Sequence, residues 1–168
     1  MKTTLVQKAK VFATNAHKGQ FRKDGKTPYI EHPKAVVGLL LGVGVRDERM
    51  LASAWLHDVV EDCNVSIKEI EQEFGEEIAR IVLVLTREGG ENREQYMEKI
   101  KNSDYSIKMI KLADVVHNCS DLSFVTSEKL IRNKVVECKI LYLKMAKSFS
   151  YVFYLFLLTS IKPFMEKY

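Results

Sequence analysis

An all-α fold is predicted for this chain, and three observations carry the prediction. Apolar residues recur every three or four positions through most of its length, as in Leu5, Ala9, Phe12, Ala13 and Ala16. Residues that start helices stand in front of these runs: Thr4 with Gln7 and Ser66 with Glu69 as capping boxes, Asp47 and Ser127 as single caps. No pair of segments reads as paired strands. The β-branched run Ile81-Val82-Leu83-Val84 would suit a strand in isolation, yet Ile78, Ile81, Val82 and Leu85 keep helical spacing.

The first helix follows Thr4 and stops before Gly19, with His17 near its end as a capping or packed residue. Gln20 to Glu31 is a basic loop with Arg22, Lys23 and Lys26 around an Asp24-Gly25 turn. His32 then stands at the mouth of a helix opened by Pro33 and carried by Val36, Val37, Leu39, Leu40 and Leu41 as far as Gly42 and Gly44. Asp47 caps the next helix, Ser66 opens a short one ending at Gly75, and Glu76 to Thr86 makes another. A Gly89-Gly90 loop leads to a polar helix, Arg93 to Lys101, with Tyr96, Met97 and Ile100 inward. Ser103 or Asp104 caps a segment whose core face is Ile107, Ile110, Leu112, Ala113 and Val116. Ser127 opens a long helix through Lys147, and the aromatic stretch Phe149 to Ile161 follows. Only 14 residues separate Lys147 from Lys162, short of the ~20 that a bilayer span needs. The stretch is expected to pack in the core or on a second copy of the chain, with a membrane-surface anchor as the alternative.

With 168 residues, 46% of them hydrophobic, the chain suits one domain over residues 1–168. A net charge of +4 with scattered Lys and Arg points to a small anionic ligand and away from nucleic acid. Cys63, Cys119 and Cys138 stand singly and odd in number, which argues against a disulfide framework or a structural zinc site and makes the reducing cytoplasm the expected compartment. The stretch from Met1 to Lys8 lacks the apolar run of an export signal.

The chemistry concentrates in Trp55-Leu56-His57-Asp58-Val59-Val60-Glu61-Asp62. On one continuous helix these four polar residues share a stripe, and carboxylates among so many apolar neighbours are costly unless paired or bound to a cation. A metal site is therefore expected, with further ligands from elsewhere. His32 is the candidate third ligand, and Asp114, flanked by apolar residues in Lys111-Leu112-Ala113-Asp114-Val115-Val116-His117-Asn118, the candidate fourth. Asn118, four residues on, is placed to orient Asp114 or to meet a substrate.

Taken together, Ala16-His17-Lys18-Gly19-Gln20-Phe21-Arg22-Lys23, Pro28 to Pro33, His57-Asp58 to Glu61-Asp62 and Lys111 to Asn118 resemble the HD-domain hydrolases of the RelA/SpoT family, over roughly residues 5 to 125. The length matches the free-standing small alarmone hydrolases, with the helices of 127–168 packed on the motif-bearing part. The resemblance implies an HD-domain helical bundle that uses manganese, held by His32, His57, Asp58 and Asp114, to remove the 3′-pyrophosphate of guanosine tetra- or pentaphosphate. It implies Glu61 and Asp62 as the residues that position and deprotonate the attacking water, Arg22 on the purine, Lys23 on phosphate and Asn118 on the nucleotide. Val115 stands where many members carry Arg, which keeps open other phosphorylated nucleotides, an adenosine analogue or the phosphate of NADPH among them. A nucleotide-binding sensor without catalysis is the remaining alternative, and a homo-oligomer stays open.

Overall fold

A computed structural model describes residues 3–168; Met1 and Lys2, the start of the segment read as lacking an export signal, lie outside the described residues. Eleven α-helices appear among the described residues and no strand, only an isolated Phe21–Pro28 bridge closing the basic loop. The first six are α1 (Leu5–Ala16), α2 (Glu31–Gly42), α3 (Glu48–Leu56), α4 (Val59–Asp62), α5 (Ile67–Phe74) and α6 (Glu76–Leu85). The rest are α7 (Arg93–Lys101), α8 (Tyr105–Ser120), α9 (Glu128–Glu137), α10 (Leu143–Phe149) and α11 (Tyr151–Ile161).

Local chemistry explains most boundaries. Thr4 and Gln7 close a reciprocal capping box, as do Asn92 and Gln95 at α7. Asp47, Ser66 and Asp104 accept from the backbone N–H groups of Met50, Glu69 and Ile107 at 2.7, 3.2 and 3.2 Å. Gly75 separates α5 from α6 with φ +88°, a conformation that a Cβ would strain.

α8 is the axis of the bundle. Ile107, Ile110, Leu112, Ala113 and Val115 are fully buried, and the helix touches α2, α3, α6, α7, α10 and α11. Each such side chain contributes about 1.5–3 kcal/mol on burial, so the core fixes α8 most firmly where it carries Asp114. α1 packs on α3, and α2 lies between α3 and α8, which brings His32 from one side and His57 from the other against α8.

Two expectations are corrected. His57 and Asp58 are not on a continuous helix with Glu61 and Asp62: α3 ends at Leu56 and α4 begins at Val59. Adjacent side chains on a helix point about 100° apart; the turn lets His57 and Asp58 converge. The helix from Ser127 is likewise interrupted, by a π-helical turn at Cys138–Tyr142, and resumes as α10. All three cysteines are free thiols, and those of Cys119 and Cys138, buried on α8 and the π turn, come within 2.9 Å.

The aromatic tail forms α11, with Phe153, Leu157 and Ile161 fully buried against the core. Its other face, Val152, Leu155 and Phe156, stays exposed. Among the described residues, no helix is long and apolar enough to cross a membrane.

Candidate metal and nucleotide site

Four side chains from three regions of the chain meet at one point. His32 Nε2 lies 3.2 Å from His57 Nε2, 3.4 Å from Asp58 Oδ2 and 3.2 Å from Asp114 Oδ1. His57 Nε2 lies 3.2 Å from Asp58 Oδ2 and 4.0 Å from Asp114 Oδ1. Donors bound about 2.1 Å from one cation stand about 3 Å apart at right angles and about 4.2 Å apart when opposed. The donor atoms of His32, His57 and Asp58 all lie within 4.8 Å of one another, and Asp114 approaches this group through the two histidines; two imidazoles with carboxylates suit a divalent transition metal. His32, His57 and Asp114 are buried, so a cation here would offset the cost of taking the carboxylates out of water.

Each donor is aimed by a second group. His57 Nδ1 donates to the Ala54 carbonyl at 2.8 Å, which leaves the Nε2 lone pair facing the cluster. His32 Nδ1 meets His117 Nδ1 at 2.8 Å. Burial, then the charge of His32, brings the His117 pKa down to about 4; with a cation on His32 Nε2, Nδ1 would be the nitrogen left to donate to His117. Asp114 Oδ2 accepts from Lys111 Nζ at 2.8 Å, and Oδ1 accepts from Asn118 Nδ2. Burial opposes the charged form of Asp114, yet Lys111, His32 and His57 hold its carboxyl far below the usual range. His57 shows the same contest: burial lowers its pKa, while Asp58 and Asp114 raise it to about 9. A cation on Nε2 takes the place of that proton.

A cavity of about 480 Å³ opens beside His32 and Asn118. Arg22, Lys23, Arg93 and Lys134 line it, with Leu122 and Phe124 among its apolar walls. Arg22 donates to Asn118 Oδ1 at 2.9 Å and to Asp121 Oδ2 at 2.8 Å, and its guanidinium carbon lies 5.5 Å from the Tyr29 ring centre. Lys23 has a lowered pKa, first from partial burial and then from Lys134 and Arg22. Asp24, Glu31, Asp121 and Glu137 line it as well, so the rim is mixed in charge: Arg22 pairs with Asp121, and Arg93 and Lys134 with Glu137.

An HD-domain family model matches residues 9–148. The guanosine-3′,5′-bis(diphosphate) 3′-pyrophosphohydrolase MESH1 of Xenopus tropicalis is 38% identical over 139 residues, covering 79% of this chain and 78% of its own. A solved structure described as a metazoan ortholog of SpoT that hydrolyzes ppGpp superposes with a TM-score of 0.86 over 97% of both chains, at 26% identity. The chain belongs to the RelA/SpoT branch of the HD-domain family. A probable guanosine-3′,5′-bis(diphosphate) 3′-pyrophosphohydrolase of Synechocystis is 41% identical over 135 residues, and there the match spans only 18% of the relative's length.

In this HD-domain protein the sequence-derived candidates separate into groups. His32, His57, Asp58 and Asp114 come together; Asn118 and Arg22 join them by hydrogen bonds, and Lys23 lies on the cavity rim. Asp62 is exposed and reaches the cluster through Tyr29, whose hydroxyl lies 2.8 Å from Asp58 Oδ2 and 2.7 Å from Asp62 Oδ2. Glu61 is exposed and accepts from the Arg87 backbone N–H at 2.9 Å, turned to the loop after α6. The shared stripe expected for all four polar residues is thus replaced by two inward and two outward side chains. Val115 is fully buried and does not line the cavity, so replacing Arg there changes the core and not the cavity rim.

Sequence reasoning missed three residues. Tyr29 was passed over in the loop; its phenol is held protonated by burial and by Asp58 and Asp62. His117 and Lys111 each lie three positions from Asp114 on α8, a spacing that could have revealed both. His17, read as packed, is buried, stacks on Tyr29 and bonds Gln20 at 2.8 Å.

Proposed function

We propose that this protein removes the 3′-pyrophosphate of guanosine tetra- or pentaphosphate, giving GDP or GTP and diphosphate, with manganese at the four-donor site. The observation that carries the reading is the convergence of His32, His57, Asp58 and Asp114 at the edge of a cavity lined by Arg22, Lys23 and Asn118. The names of the Xenopus and Synechocystis relatives support it. In this reading residues 1–168 form one HD domain working in the cytoplasm on a small nucleotide.

When bound, the cation supplies Lewis acidity toward a phosphate oxygen and lowers the pKa of water. His32 and His57 present fixed Nε2 lone pairs because His117 and Ala54 take their Nδ1 protons. Hydrolysis forms a bond from water oxygen to phosphorus, breaks the bond from phosphorus to the 3′ oxygen, and requires an acceptor for the water's proton and return of a proton to the departing 3′ oxygen. Asp62, hydrogen-bonded to Tyr29 beside Asp58, would take that proton in this reading, and Glu61, its neighbour in the chain, would help pass it on. Arg22, Lys23 and Asn118 all line the cavity, and in this reading Arg22 would meet the purine, Lys23 phosphate and Asn118 the nucleotide.

The test is release of diphosphate from guanosine tetraphosphate, guanosine pentaphosphate and the adenosine analogue, and of phosphate from NADPH, with metal analysis of the same sample. Preferred turnover of the guanosine compounds with manganese is the expected result. Release from NADPH or the adenosine analogue alone would replace the substrate, and binding without release would leave a sensor.

A further inference from the structure

The outward face around α10 and α11 has no role in the hydrolytic site and carries two features together. The first is exposed apolar surface: Tyr151 is 63% exposed, Val152 46%, Leu155 43% and Phe156 43%, beside a helix stripe that is otherwise buried. Ile140, at 60%, and Phe149, at 39%, extend it across α10 and the π turn. Side chains of this size seldom collect on one surface without a partner.

The second feature is charge. Residues 138–168 contain five lysines, Lys139, Lys144, Lys147, Lys162 and Lys167, against the single acid Glu166. That surplus of four equals the net charge of the whole chain, so residues 1–137 are formally neutral. Lys101, Lys108 and Lys144 rim a shallow groove of about 490 Å³ floored by Ile140, Leu141 and Phe149. Lys108 Nζ lies 4.4 Å from the Phe149 ring centre. Lys167 is neutralised by Glu128 at 2.6 Å, whereas Lys108, Lys144 and Lys147 form no salt bridge among the described residues.

We infer that this face docks on an anionic phospholipid surface, with Val152, Leu155 and Phe156 entering the headgroup layer and the lysines meeting lipid phosphates. The outward stripe of α11 is a ridge, which fits a planar lipid surface better than a peptide that needs a cleft. In a twofold contact with a second copy, the unpaired lysines would lie near their own images. Nucleic acid would leave the apolar ridge in water. Attachment is peripheral, since no described helix can span a bilayer. It revises the expectation that this stretch packs only on protein, and it does not depend on the hydrolase reading.

The test is co-sedimentation of the full chain with vesicles of phosphatidylcholine alone and of phosphatidylcholine mixed with phosphatidylglycerol, at low and high salt, without nucleotide. Wild type should bind the anionic vesicles and be released by salt. Lys144→Glu with Lys147→Glu should weaken binding by roughly tenfold or more, each lysine near the surface being worth about 1 kcal/mol. Leu155→Ser with Phe156→Ser, both at exposed positions, should weaken it comparably while circular dichroism stays unchanged. No binding to anionic vesicles, equal binding to neutral ones, or wild-type binding by both pairs of variants would overturn the proposal. So would a wild-type dimer that the same substitutions dissociate, or retention by an acidic polypeptide in place of vesicles.

Discussion

The Nδ1 atoms of His32 and His117 face each other at 2.8 Å, and this contact between α2 and α8 leaves Nε2 of His32 pointing at His57, Asp58 and Asp114. His117→Ala removes the acceptor and frees the His32 ring to turn. Metal affinity should fall by roughly 10- to 100-fold, the usual cost of losing such a partner. Calorimetric titration with manganese checks this, and His117→Asn, which can still accept, should recover part of the loss. Wild-type affinity in His117→Ala would refute the orienting role.

Tyr29→Phe removes a hydroxyl shared by Asp58 and Asp62 and nothing else from the cluster. Bound metal should be retained, because all four donors remain. Turnover should drop roughly tenfold or more, since Asp62 loses the contact that holds it near the reacting atoms. A drop in metal content equal to the drop in kcat would instead make Tyr29 a support for Asp58 alone.

Much of this architecture was legible locally. Thr4, Asp47, Ser66 and Asp104 announced their helices because a cap is a contact between residues two or three apart. The four proposed donors could be picked out because charged groups among apolar neighbours need an explanation. The break between Leu56 and Val59 was not, since the sequence there keeps helical spacing and the turn arises from packing. Nor could the sequence show that Glu61 turns to Arg87 while Asp62 turns to Tyr29, or that Cys119 and Cys138 meet across α8 and the π turn. In α11 nearly every residue is apolar, so no periodicity revealed which face would find a neighbour.

Arg22→Ala should raise KM by roughly tenfold, the worth of one stacked or paired guanidinium at the cavity. Arg22 also holds Asn118, which in turn holds Asp114, so a smaller decrease in metal affinity should accompany it. Asn118→Ala separates the two effects: it should lower metal affinity more than Arg22→Ala does. Metal affinity unaffected in both variants would show that the hydrogen-bonded chain from Arg22 to Asp114 does not support the donor.

Asp104 caps α8 and meets Arg80 at 2.6 Å. Burial raises its pKa, but Arg80 and the Ile107 N–H outweigh that and lower it below the ordinary carboxylate value. A depressed folded pKa means the stabilisation is complete above the unfolded pKa and disappears as pH falls through the folded one. Asp104→Ala should cost about 1 kcal/mol near neutral pH as a lost cap, with the exposed ion pair adding little. Urea denaturation of both proteins should show that difference shrinking below about pH 4. A difference independent of pH would mean that the ionised carboxylate is not what caps α8.

Asp114→Asn and the pair Asp62→Asn and Glu61→Gln should fail in different ways. Asp114 offers Oδ1 to the cluster while Lys111 grips Oδ2 at 2.8 Å. Its amide replacement removes a negative donor and leaves the half-buried Lys111 ammonium without its counter-charge. Metal should be lost, excess manganese should rescue part of the activity, and stability should fall, since breaking a buried pair costs about 3–5 kcal/mol. Asp62 and Glu61 lie on the solvent side of the turn and support no donor directly except through Tyr29, so their amides should keep the metal. Turnover should fall by roughly 10²- to 10⁴-fold where the lost group takes the water's proton. Asp62, one hydroxyl away from Asp58, should show the larger loss; Glu61, tied to the Arg87 N–H, the smaller. Added manganese should restore neither. Equal loss of bound metal in Asp114→Asn and Glu61→Gln would make Glu61 a ligand, and a larger kcat loss in Glu61→Gln than in Asp62→Asn would require the loop after α6 to turn Glu61 inward when nucleotide binds.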